Sequence, residues 1–182
     1  MTEFQGVGFQ LSHSTIQAMG VLSWVVSGVV VLFSAVLAVA VPLIDAQTCF
    51  SSSLYPAQLV ELKSWYAEQY GDYLMKEKPG FFLGLVWVEI LLLWPLSIAN
   101  VYGILSGKRW AATTSLMTGV SVGTSMAALM GELIGSGRAS DKLLLMYFPF
   151  VLFAIFAIIR GLMPLFEDDA APEDSNNSKK RD

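Results

Sequence analysis

Glu89 is the residue of this 182-residue chain whose setting points most directly to chemistry. Glu89 stands out because it is the only charge between Pro79 and Gly107. An ionisable group at bilayer depth costs roughly 3 kcal/mol on insertion scales, so it must face the interior of a helix bundle and find a partner there. Such an acid either serves a site or only fixes helix packing, and the residue alone leaves both open. Asp45 closes an uncharged run from Gly20 to Ile44, whereas Asp72 precedes a second apolar run and by composition reads as a solvated loop acid. A carboxylate in aromatic, water-poor surroundings suits an apolar ligand with one cationic or hydroxyl group. The hydrocarbon fills the cavity and the acid holds the polar end.

The inventory argues against other chemistries. The one histidine, His13, precedes the first apolar run, and Cys49 is the one cysteine. Neither a metal site nor a Cys/His nucleophile pair is expected, and no intrachain disulfide can form. The glycine fragments lack the lysine and strand context of a nucleotide loop, so no cofactor is expected. A net charge of −4 provides no basic face for nucleic acid.

The elements that would position the acids are membrane spans. Hydrophobic residues make up 54% of the chain and charged ones 14%, well below the roughly 25% usual in soluble domains. Four stretches are long enough for the roughly 20 residues that cross a bilayer as a helix, at about 20–44, 80–105, 110–134 and 143–166. The first lacks a basic flank and is too long for a signal peptide, so it reads as a retained helix after a segment 1–19. The expected fold is all-α, one four-helix domain over 20–166, with residues 167–182 as a disordered cytosolic tail. In the loop between the first two spans, Leu59, Leu62 and Tyr66 recur at helical spacing while Gln58, Glu61 and Lys63 lie elsewhere. That predicts an amphipathic helix after Pro56 which packs under the bundle.

Within the second span Trp87 and Trp94 share a face, with Glu89 rotated roughly 140 to 200° away, and Pro95 frees backbone groups that neighbours must satisfy. The third span carries Ser115, Gly119, Gly123, Ala127, Gly131 and Gly135, each four apart. Small residues at that spacing let helices approach closely. The ribbon winds around the helix, serving close packing inside the bundle or a homodimer seam.

Lys108 and Arg109 in the short second loop assign that loop, and with four spans both termini, to the cytosol. Lys179 and Lys180, three and two residues before the terminal Asp182, have the form of a dilysine retrieval signal for the endoplasmic reticulum, which works only on a cytosolic tail. The first loop would then be luminal.

The order Asp45, Leu54-Tyr55-Pro56, Trp65-Tyr66-Ala67, Asp72, Trp87-Val88-Glu89 with Pro95 six beyond, and Tyr147-Phe148-Pro149 resembles the EXPERA-domain membrane proteins. The likeness runs over about residues 35 to 165 and is nearest the family's sigma-2-receptor branch. The resemblance implies a four-helix protein of the endoplasmic reticulum with an occluded, bilayer-facing pocket for sterols and cationic amphiphiles, acting in sterol homeostasis or trafficking. It implies that Asp45 pairs with a ligand amine, that Asp72 supports it by hydrogen bonding, that Glu89 is the family's second-helix acid, and that Trp65, Tyr66 and Tyr147 belong to the ligand site. Leu93 and Phe150 replace polar groups of the family pattern, which bears on ligand preference. The family also contains a sterol Δ8–Δ7 isomerase, whose chemistry uses a membrane-embedded histidine with an acid one turn on. This chain has no histidine after His13, so a non-enzymatic receptor is the expectation. A scaffold or chaperone for a partner membrane protein is a third alternative.

Overall fold

A computed structural model describes residues 13–170, with side chains from Gly20 to Met163. The element order is α1 (His13–Leu43), two short 3₁₀ turns (Asp45–Thr48 and Ser52–Leu54), α2 (Ala57–Gln69), α3 (Tyr73–Glu77), α4 (Gly80–Val88), a π-helical turn (Glu89–Leu93), α5 (Trp94–Leu105), α6 (Ala111–Gly135) and α7 (Asp141–Ala170). Four helical stretches, Gly20–Thr48, Gly80–Leu105, Ala111–Gly135 and Asp141–Met163, are long and apolar enough to cross a membrane. Four such helices are the number expected. The last helix continues through Ala170, four residues into the segment read as tail. Lys179 and Lys180 lie outside the described residues.

The chain runs up and down, so the α1–α4 and α6–α7 loops share one face and the α5–α6 turn with Lys108 and Arg109 occupies the other. On the shared face Tyr73 donates to Glu132 Oε1 at 3.1 Å, its hydroxyl meets Ser136 Oγ at 2.9 Å, and Ser140 donates to the Tyr70 carbonyl at 3.3 Å. Arg138 pairs with Glu77 and lies over the Tyr73 ring, 4.0 Å from its centre. This pairing caps the bundle with its own loops.

Close approach is built from small residues. A side chain at Gly119 would place its Cβ 2.7 Å from Ile158 N on α7, and one at Gly161 would place it 2.5 Å from Leu116 Cβ on α6. The two glycines interlock the pair. The ribbon does wind: Ser115 and Gly119 are buried, while Gly131 and Gly135 meet nothing within 4 Å.

Pro42 and Pro95 each free a carbonyl at bilayer depth, and the molecule accommodates the two differently. Pro42, inside α1, cannot donate to the Ala38 carbonyl four residues back, and the Trp94 indole N–H supplies that bond at 3.0 Å. Pro95 opens α5, and just before it the helix widens so that Trp94 N–H bonds Glu89 O, five residues back. Such a turn relieves the clash of a proline ring with the preceding carbonyls. It also swings Glu89 out of the regular helical register.

Candidate functional site

The loop-side half of the bundle holds a partly open cavity of about 250 Å³. Its walls are apolar, with Leu37, Phe82, Val86, Leu129 and Phe150 among them. Its polar lining comes from Asp45, Thr48, Tyr66, Glu89, Ser125 and Tyr147. Two acids from different spans thus meet one apolar void. Asp45 arrives on the 3₁₀ turn that ends the first span, and Glu89 on the π turn of the second. No side-chain hydrogen bond ties either carboxylate to the described residues.

Tyr66 comes from α2 and Tyr147 from α7. Burial holds the Tyr66 phenol well above its usual value, and Asp72, Asp45 and Tyr70 push the same way. It therefore stays protonated and can donate.

Asp72 is fully buried, not the solvated loop acid that composition alone suggests. It caps α3, accepting from Met75 N–H at 3.2 Å, and its second oxygen accepts from the Tyr147 hydroxyl at 2.9 Å. It does not line the cavity itself, but its hydrogen bond holds Tyr147, which does.

Trp65 departs from expectation. It is 56% exposed and does not line the cavity, because α2 turns a different face inward. The amphipathic stripe predicted through Leu62 is displaced: Leu62 is 49% exposed, while Leu59, Lys63, Tyr66, Ala67 and Tyr70 form the inward row. Positions 59, 63, 66, 67 and 70 do follow helical spacing, but a lysine among them disguises the pattern. Trp87 and Trp94 also face outward, so the cavity's aromatic groups are Tyr66, Phe82, Tyr147 and Phe150.

The profile of the family EBP, described as EXPERA (EXPanded EBP superfamily), matches residues 58–161. The chain belongs to the EXPERA family. Among curated proteins, it is similar to Sigma intracellular receptor 2 of Xenopus tropicalis, 29% identical over 93 residues, covering 50% of this chain and 54% of the relative. The protein of the same name from Homo sapiens is 25% identical over 91 residues, covering 50% of this chain and 52% of the relative. The match thus spans about half the length of these EXPERA relatives. Membership agrees with the resemblance read from Tyr55 to Pro95 and Tyr147-Phe148-Pro149. What membership leaves to this chain is the lining of its own cavity, including Phe150, which presents an apolar ring there.

Thr48, Ser125 and Met126 also line the cavity; of these only Ser125, one of four α6 hydroxyls able to bond across helices or line a polar cavity, was suggested by the sequence. Ser125 is shared with a shallower groove between the α4–α5 segment and α6, lined by Leu85, Leu92 and Val120. A serine there is one of many small polar residues on α6, and only packing selects it.

Proposed function

We propose that this chain is a sigma-2-receptor-like protein of the endoplasmic-reticulum membrane that binds sterols and cationic amphiphiles within the bilayer, with the Asp45 side luminal and the Lys108 side cytosolic. It serves sterol homeostasis or trafficking as a receptor and not as an enzyme. The observation that carries the reading is the meeting of Asp45 and Glu89 in one apolar cavity without side-chain hydrogen bonds to the described residues. Unpaired acids at that depth are costly, and a ligand's ammonium or hydroxyl would supply the missing partner. Names of EXPERA relatives as intracellular receptors support a binding role.

The cavity, at about 250 Å³, lies near the lower end of ligand pockets, which run from roughly 300 Å³ upward. A sterol would place its polar end by Asp45 and Glu89 and extend its body toward lipid. Asp45 pairs with an amine, Tyr66 donates to a hydroxyl, and Asp72 holds Tyr147 in the wall. Asp72 is a positioning residue.

The test is tritiated-sterol and cationic-amphiphile binding to the purified chain. Asp45→Asn should weaken the cationic ligand by about tenfold or more, since a desolvated ion pair counts most where water is excluded. Unchanged affinity would remove Asp45 from the site. Asp72→Asn should weaken both ligands less, through Tyr147.

A further inference from the structure

The wall between the cavity and the loops contains a cation. In the 3₁₀ turn Asp45–Thr48, residues three apart lie in line, so Asp45 and Thr48 present the same face, and both line the cavity. From the opposite side Lys63 Nζ donates to Thr48 Oγ1 at 2.7 Å, and Lys78 Nζ donates to the Thr48 carbonyl at 3.1 Å. Lys63 is no solvent lysine. It occupies the inward row of α2 between Leu59 and Tyr66, half-buried, where an apolar residue would complete the pattern. Behind it lies a recess of about 300 Å³ whose polar groups include Gln47, Ser64, Glu68, Lys76 and Lys78. Met75 forms part of the wall of both spaces.

The geometry points to Lys63 as a tethered cation that competes with cationic ligands for the field of Asp45, and so sets the balance between amine-bearing and uncharged ligands. This rests on the amphiphile-binding reading above. An ammonium arriving beside Asp45 meets the Lys63 ammonium one hydrogen bond beyond Thr48. To admit it, Lys63 must leave Thr48 and withdraw into the recess, where Glu68 is available as a partner. An uncharged sterol hydroxyl meets no such repulsion and can accept from Thr48 or Tyr66 while Lys63 stays in place. The strain on Lys63 is consistent with this: burial, and then the neighbouring Lys78, lower its pKa to about 8, while Asp45 leads the groups that favour its charge. The cation is held where it is poorly solvated and where the acid's field attracts it.

The experiment compares two probes on the full-length chain in lipid nanodiscs: a quaternary ammonium amphiphile of fixed charge, and tritiated cholesterol. Lys63→Met, of similar length and without charge, should tighten the quaternary ammonium by roughly five- to tenfold, a modest factor because Lys63 is half exposed and screened. Cholesterol affinity should stay within about twofold by the same argument. Lys63→Arg should behave as the original chain. Lys63→Gln, which keeps a donor to Thr48, serves if the methionine variant does not fold, and should shift selectivity in the same direction. An unchanged ratio of the two affinities in the uncharged variants, with both probes binding the unmodified chain, overturns the role of Lys63. Failure of the unmodified chain to bind either probe overturns the amphiphile reading instead, and the Lys63 inference with it.

Discussion

Each half of the bundle holds a polar cluster, and the two clusters differ. Toward the Lys108 side, Asn100 donates to Thr118 Oγ1 at 2.9 Å, and the Ser115 hydroxyl donates to the Ala111 carbonyl at 2.7 Å while lying 3.4 Å from Asn100 Oδ1. Asn100, Ser115 and Thr118 are fully buried, and each meets a protein partner. Toward the loop side, Asp45 and Glu89 face a void and are tied to no described residue. A buried polar group satisfied within the chain specifies helix packing, whereas one left facing a cavity is completed from outside. Both halves are apolar in composition. The Asn100 cluster closes on itself, whereas Asp45 and Glu89 face the cavity.

The largest expected effect sharpens this contrast through two phenylalanines of α7. Phe153 is fully buried and stacked on Phe33 with ring centres 5.1 Å apart, so Phe153→Ala should cost roughly 3 to 5 kcal/mol. Phe150 lines the cavity, and Phe150→Ala should cost clearly less while changing ligand affinity. Thermal unfolding in detergent measures both. Equal losses would mean that the cavity half is packed as tightly as the other.

Next come the glycines of α6. Gly119→Ala drives a methyl group into the α7 backbone and should cost roughly 1 to 3 kcal/mol. Gly131→Ala meets nothing within 4 Å and should be neutral, or stabilise by up to about 1 kcal/mol through helix propensity. A large loss at Gly131 would reveal a partner on that face, as a homodimer seam requires, and cross-linking would then identify a second copy.

A smaller loss is expected for Trp94→Phe, which removes the donor to the Ala38 carbonyl freed by Pro42. It should cost about 1 kcal/mol, within the range of interhelical hydrogen bonds in membranes. Restoration of stability by Pro42→Ala in the double variant would tie the two together.

The smallest effect is a pH dependence. Lys63 in the folded chain titrates near about 8 instead of its usual 10.5, so its charged form is disfavoured by folding. Below about 8 it is protonated both folded and unfolded, and the full penalty applies. As pH rises from 8 toward 10.5 the folded state loses this proton first, and stability increases. With the lysine half exposed, the gain should be roughly 1 kcal/mol or less. Lys78, Asp45, Cys49 and Asp72 also act on this group, so the measurement is the difference between wild type and Lys63→Met over that range. A flat difference would place Lys63 in water.

The four-helix membrane class and the isolation of Glu89 within an apolar span were legible in the order of residues. Hydrophobic length and an isolated charge within it are local properties, and the cost of burying that charge in a bilayer holds for any arrangement of helices. The helix after Pro56 was legible as well, but its orientation was not. Leu62 and Trp65 form as plausible an apolar face as Tyr66 and Ala67, and only contact with α3 and the ends of the spans selects the row that carries Lys63 inward. Asp72 likewise looked like any loop acid until Tyr147, 75 residues away, donated to it. Hydropathy and helical period depend on neighbours along the chain, so the sequence by itself determined the elements. The cavity, the pairing of Asp72 with Tyr147 and the place of Lys63 above Asp45 depend on which side chains meet across helices, and tertiary packing alone decided those.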